Sequence, residues 1–273
     1  MQVVFWSPTA GQTGTTSSLT AAALMAAYRY DRKVLLMQTH YQNRDLEEIL
    51  LGSGQKEEIY RNIGLDAILR LIRTGNLSES SNTQILIKDF ILSLGRGGIN
   101  LLPGTSKGYG KSLEEDMITY LPFIYRSLKD SYDIIFTDAV CGDNPVSRIL
   151  WREADILIVS INQNKRVLKE CLLQYQFPLE KTVFLIGSYQ NASVNNMKNL
   201  EKTYEELKGR LYAIPQHTAY MDAVSERRCQ EFFLKGMAFK NRGNLSDFFH
   251  HVSKLTEMLI DKALDKGGLG LDS

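Results

Sequence analysis

The strongest constraint on this chain lies at its start. An apolar segment, Val3-Val4-Phe5-Trp6, leads into Pro8-Thr9-Ala10-Gly11-Gln12-Thr13-Gly14-Thr15-Thr16-Ser17, and an alanine-rich stretch from Leu19 to Tyr28 follows. Strand, glycine-bearing turn and helix in that order present backbone N–H groups to an anion. The first turn of a helix holds donors with no intrahelical acceptor, and the helix dipole favours negative charge there. Gly11 and Gly14 permit positive φ and close backbone approach. Thr15 or Thr16 opens the helix, where a hydroxyl can cap it or bind Mg²⁺. A phosphate-binding loop ordinarily places a lysine just before its hydroxyl residue; Gly14 stands there. The same residues also read as a plain turn with a threonine cap and no ligand.

The rest of the chain alternates. Short apolar, β-branched segments at 3–6, 33–37, 99–102, 132–137, 155–161, 182–187 and 210–214 read as strands. Helical spacing covers 15–30, 64–74, 83–94, 112–128, 165–174 and 196–207, and a last amphipathic segment spans 245–264. Alternation of this kind predicts an α/β fold, and continuous runs such as Ile156-Leu157-Ile158-Val159 predict strands covered on both faces. The expected architecture is a single domain over residues 1–265, a mostly parallel, doubly wound sheet flanked by helices, with a flexible tail at 266–273. Glycine-rich stretches at 52–56 and 104–111 read as loops within that domain.

Composition narrows the function classes. A length of 273 residues with 44% hydrophobic residues supports a substantial core. A net charge of +1 gives no general attraction to DNA or anionic lipid, so such binding would need a local patch. Cys141, Cys171 and Cys229 are odd in number and far apart, which suggests a reducing, cytoplasmic setting rather than a disulfide framework. No signal-peptide pattern is visible, and no apolar run approaches about 18 residues.

In doubly wound sheets ligands bind beyond the carboxyl ends of the strands. The turn after the first strand is therefore the expected site. A second element fits beside it. The segment from Ser131 to Gly142 is an apolar strand ending in Asp138, with Gly142 four residues later. A carboxylate at such a strand end can hold a Mg²⁺-bound water, and the glycine N–H can approach a γ-phosphate. Asp138 as a simple strand-end cap is the alternative.

These segments carry a family resemblance. Ser7-Pro8 and the loop 9–16 resemble the deviant Walker A region of the ParA/MinD (SIMIBI) class of P-loop ATPases. Residues 133–142 resemble that class's Walker B and switch II. Residues 33–40 resemble its second strand and switch I, and 154–159 the strand after switch II. Ile214-Pro215 followed by Ala223 resembles the late strand and loop near the adenine. Within the class the chain is most similar to TadZ/CpaE-type pilus assembly proteins, on Phe5-Trp6-Ser7-Pro8, Leu101-Leu102-Pro103-Gly104, Asn162-Gln163-Asn164 and the stretch from Ile214-Pro215 to Phe232-Phe233.

The resemblance implies ATP and Mg²⁺ as cofactors. It implies nucleotide contacts at Gly11, Gln12, Thr13, Gly14, Thr15, Thr16, Asp138, Gly142 and Pro215, with Thr15 and Asp138 on the metal. It also implies a homodimer, and a positioning or assembly role for a Tad-type pilus or secretion machine, recruited through partners to the inner membrane face or cell pole. The chain departs from the pattern where Thr9 and Gly14 replace two lysines and where Gln38 and His40 replace acids. Charge stabilisation supplies most of phosphoryl-transfer catalysis, so little or no hydrolysis and a nucleotide-independent dimer are expected. An active partition or division ATPase that binds DNA or membrane is the alternative. A third reading, an iron–sulfur reductase, rests on Asp138-Ala139-Val140-Cys141-Gly142, but no cysteine precedes Cys141 to complete the pair each subunit would supply.

Other features are weaker. Arg227, Arg228, Lys235, Lys240 and Arg242 surround Phe232 and Phe233, as a DNA patch or a solvated helix face. Phe248, Val252, Leu255 and Leu259 form a stripe expected to dock on the sheet. Lys107 and Lys111 sit in a glycine-rich loop. His250 and His251 point to different helix faces and make a poor metal pair; His40 and His217 read as structural or surface groups.

Overall fold

A run of β-branched and aromatic residues is stable as a strand only where both its faces are covered. Gln2–Trp6 (β1) meets that condition, with all five residues buried. In the computed structural model, residues 1–273 are described except 42–44, 52–61, 76–86, 96–97, 106–109, 239–243 and 269–273. After β1 come α1 (Thr15–Tyr30), β2 (Val34–Gln38), α2 (Asp45–Leu51), α3 (Leu65–Arg73), β3 (Leu92–Ser93), β4 (Ile99–Leu102), α4 (Lys111–Leu128) and β5 (Ile134–Asp138). Then follow α5 (Pro145–Glu153), β6 (Ile156–Ile161), α6 (Lys165–Gln174), β7 (Thr182–Tyr189), α7 (Met197–Thr203), β8 (Leu211–Pro215), α8 (Thr218–Ser225), α9 (Cys229–Ala238) and α10 (Asn244–Gly268).

The eight strands form one sheet in the order β3-β4-β2-β5-β1-β6-β7-β8. All pairings are parallel except β3 with β4. Helices cover both faces. One core gathers α3, α4, α5 and α6 around Trp6, Leu35 and Leu157. The other gathers α1, α9 and α10 around Phe5, Leu36 and Ile158. Within α1, Ala21, Ala22, Ala23 and Ala26 are fully buried. A helix apolar all round must be enclosed, and α1 packs against both the sheet and α10. The stripe Phe248, Val252, Leu255 and Leu259 docks inward as expected, each residue fully buried.

The expected α/β architecture is the observed one, with local corrections. The helix expected at 83–94 is present at 87–88 in its described part but does not run on to 94. Leu92–Ser93 pairs antiparallel with β4 instead, and 83–86 lie outside the described residues. The helix expected at 196–207 breaks into α7 and a 3₁₀ turn at Glu205–Leu207. α10 continues to Gly268, into the stretch expected as a tail, and 269–273 lie outside the described residues. So do the glycine-rich stretch 52–56 and the middle of 104–111, Lys107 included. No helix among the described residues is long and apolar enough to cross a membrane.

Candidate functional site

Register brings three strand ends together. Phe5 of β1 lies beside Asp138 of β5, and Asp138 lies beside Gln38 of β2. The β1–α1 loop, the turn after Asp138 and the Thr39-His40 segment therefore meet at the carboxyl edge of the sheet. Chain order reverses there, since β1 sits between β5 and β6, which is where such folds place ligands.

The loop enters α1 through a left-handed residue. Gly14 has φ 62° and ψ 33° and is the N-cap, so no side chain caps the helix. Gly11 is also left-handed, at φ 71°. The first helical bond runs from the Ser18 amide to the Gly14 carbonyl at 2.9 Å. Ahead of it, the amides of Thr15, Thr16 and Ser17 have no intrahelical acceptor. The two candidate hydroxyls part company. Thr15 Oγ1 pairs with Thr13 Oγ1 at 2.9 Å, whereas Thr16 Oγ1 donates to Asp138 Oδ2 at 2.6 Å.

In phosphate-binding loops the hydroxyl residue after the lysine and the strand-end aspartate share the metal. Here Thr16, not Thr15, is the hydroxyl residue that meets the strand-end aspartate. The left-handed backbone at Gly14 would strain any side chain placed there. The chain has no lysine before Lys33.

Backbone contacts fix the loop. The Gly142 amide donates to the Ser7 carbonyl, and Trp6 Nε1 donates to the Gly142 carbonyl, both at 3.0 Å. The donor expected to approach a γ-phosphate is thus engaged, and Gly142 is not on the cavity wall. Gly187 of β7 has a role that sequence reasoning missed. A Cβ there would lie 2.1 Å from the Thr13 carbonyl oxygen, so only glycine lets the loop settle on β7. Gln12 is exposed and off the wall; its carbonyl accepts from Asn162 Nδ2 at 3.5 Å.

The charges at the edge are coupled. Asp138 is 1% exposed, and His40 Nε2 lies 3.4 Å from its Oδ1. Burial pulls the His40 imidazole down, but the carboxylates of Asp138 and Asp45 more than offset this and hold it above its ordinary value. Asp45 is raised by burial and by Asp138 and Glu48, against the pull of His40. His40, read from sequence as structural or surface, is therefore part of the site.

Above these groups lies a cavity of about 400 Å³, walled by Gly11, Thr13, Gly14, Thr15, Thr16 and Asp138, and also by His40, Glu48, Cys141 and Arg227. A second cavity, about 260 Å³, shares Ser17, Val224 and Ser225 with it and is lined by Ile214, Pro215 and Tyr220. The two make a bipartite cleft, amide-rich at one end and more apolar at the Pro215 end. Tyr220 pins that end by donating to the Ser17 carbonyl at 2.5 Å.

Arg227 follows α8 in left-handed conformation, φ 59°. Its amide bonds the Val224 carbonyl, and the Arg228 amide bonds the Ala223 carbonyl. That pair of bonds is a Schellman motif, whose left-handed position usually holds glycine because a side chain there costs ~1–2 kcal/mol. Arg227 pairs with Glu48 at 3.1 Å, and Arg228 and Lys235 pair with Glu226 and Glu231. The described part of the basic cluster is therefore matched by acids; Lys240 and Arg242 lie outside the described residues. Cys171 and Cys229 are buried away from the site, their thiols pushed up to about 12 by desolvation.

No protein-family model matches the chain, and no curated protein matches it in sequence. Solved structures do match. The septum site-determining protein MinD from Pyrococcus horikoshii, complexed with Mg-ADP, superposes with a TM-score of 0.65 at 17% identity, over 96% of this chain and 99% of that one. The fold is that of the MinD and ParA ATPases. A ParA family ATPase from Chlorobium tepidum gives a TM-score of 0.66 at 14% identity, over 96% of this chain and 98% of that one. A putative plasmid partition protein from Borrelia burgdorferi bound to AMPPNP gives 0.60 at 15%, over 97% and 99%.

Proposed function

We propose that this chain binds ATP with Mg²⁺ in the bipartite cleft and acts as a positioning or assembly factor with little or no hydrolysis. The observation that carries the reading is the Thr16–Asp138 hydrogen bond at the foot of an uncapped helix N-terminus. It joins the hydroxyl and carboxylate that would hold Mg²⁺, next to amides suited to phosphate oxygens. Mg²⁺, when bound, would neutralise phosphate charge beside three acids, Asp45, Glu48 and Asp138, that otherwise repel it. The Pro215 and Tyr220 end offers an apolar seat for a base. Weak hydrolysis follows from the lysine-free loop and from His40 and Gln38 standing where the resembled family has acids. Calorimetric titration with Mg-ATP, paired with a phosphate-release assay, tests this. Micromolar to millimolar binding with negligible turnover is expected; turnover at ordinary ATPase rates, or no binding, overturns it.

The resemblance to TadZ/CpaE-type proteins supports a Tad-type pilus or secretion system as the setting. The chain would act there as a cytoplasmic homodimer recruited to the membrane face or pole through partners. Without the loop's first lysine a cross-subunit phosphate contact cannot form, so the dimer is expected with or without ATP; light scattering that shows a monomer in both conditions would refute it. The structural likeness to MinD and to a plasmid partition protein favours a second reading, an active division or partition ATPase. Gel-shift and liposome-sedimentation assays separate the two, because only the second reading predicts DNA or lipid binding controlled by ATP.

A further inference from the structure

The cleft has the amides of a phosphate site but lacks a lysine to match. Among the described residues lining its two cavities, Arg227 alone carries a permanent positive charge. Three features of Arg227 point the same way. It lies on the wall of the cavity lined by Gly11 and Thr13 to Thr16, as does its partner Glu48. Its backbone occupies the left-handed position of the Schellman motif after α8, where glycine would be unstrained. A strained residue kept against an easier alternative is a reason to look for function. Finally, its ionic partner is a weak one. Glu48 is 60% exposed, Arg227 32%, and they meet at 3.1 Å. Exposed pairs of this kind are readily exchanged, and a guanidinium binds phosphate through two parallel bonds better than it binds one carboxylate oxygen.

We propose that Arg227 is the phosphate-binding cation of this site, held on Glu48 in the ligand-free protein and handed to the phosphate chain when a nucleotide enters. The proposal rests on the nucleotide reading above and goes beyond it. The cation absent from the β1–α1 loop is supplied instead from the far end of the chain, after α8. Glu48 belongs to α2, so occupancy also releases one of the ties between α2 and the α8–α9 turn. A tie from α9 itself, Gln230 Nε2 to the Leu50 carbonyl at 3.4 Å, does not involve the cavity.

The decisive variant is Arg227→Gly. It removes the charge and relieves the left-handed strain, so function and stability should move in opposite directions. Mg-ATP and Mg-pyrophosphate affinities, measured by calorimetry, should fall at least tenfold, while the melting temperature stays level or rises by about 2–4 °C. Arg227→Lys should recover part of the affinity, and Glu48→Gln should tighten pyrophosphate binding two- to fivefold by freeing the guanidinium. Wild-type binding left unchanged by Arg227→Gly overturns the proposal and leaves the nucleotide reading standing. Wild-type protein that binds neither probe overturns both.

Discussion

Gly187 offers a sharp test of how the loop is held. A Cβ built on it lies 2.1 Å from the Thr13 carbonyl oxygen, and ordinary contact begins near 3.4 Å. In Gly187→Ala the loop must move by about 1.3 Å relative to β7, or β7 must give way. The obstructing atom is backbone, so no rotamer change relieves it. Overpacking of this kind costs ~1–3 kcal/mol. The functional cost should be larger in proportion. Useful N–H···O distances span only about 0.5 Å, so a shift of that size takes the Gly14–Ser17 amides out of reach of a phosphate seated on the rest of the site. Loss of a single such bond to a charged group corresponds to at least a tenfold fall in affinity, ~1.4 kcal/mol. Gly110→Ala is the control, since a Cβ there meets nothing within 4 Å. Mg-ATP titrations and thermal melts of both variants decide the matter. If Gly187→Ala binds and melts like Gly110→Ala, the loop is not seated on β7 and the reasoning fails.

Other outcomes follow from the same geometry. Thr16→Val removes the donor to buried Asp138 Oδ2 and should destabilise the fold by ~1–3 kcal/mol in urea denaturation, while Thr16→Ser stays close to wild type; equal stability of the valine variant would contradict the bond. Cys141 is half-buried on the cavity wall, whereas Cys171 and Cys229 are each 1% exposed. A thiol reagent should therefore label one cysteine in the native protein and three after denaturation, and Mg-ATP should slow the first. The raised His40 contributes stability in full below its unfolded value near 6.5 and loses it as pH climbs through the folded value. Burial lowers His217 and His251, which act only on the acid side of 6.5. The melting temperature should thus fall above pH 6.5, and His40→Gln should flatten that slope; an unchanged slope removes the His40–Asp138 coupling.

Much of the architecture was legible in the sequence because strand periodicity and helix length are local signals. The expected bounds 15–30, 165–174 and 99–102 match α1, α6 and β4. The helices α2, α5, α8 and α9 went unread, being seven to ten residues long with too few turns to establish a period. For α5 a signal was present: Asn144 Oδ1 accepts from the Ser147 amide and Pro145 opens the helix. Part of the candidate cavity was legible as a cluster of residues, but not which of them pair. Gly11, Thr13 to Thr16 and Asp138 do converge, Gln12 and Gly142 do not, and nothing local tells which threonine meets Asp138; only pairing across 122 residues does so. Gly187 went unread and Arg227 was read only as one of a basic cluster, because their contacts, with Thr13 and with Glu48, are distant in sequence.

The central claim is that the amides opening α1 form an anion seat although the loop carries no lysine. Electron density from crystals grown with Mg²⁺ and a non-hydrolysable ATP analogue tests it directly. The account predicts phosphate density within hydrogen-bond reach of the Gly14–Ser17 amides, metal density at Thr16 and Asp138, and the base toward Pro215. Analogue density elsewhere on the molecule, with the loop empty at saturating ligand, would contradict it.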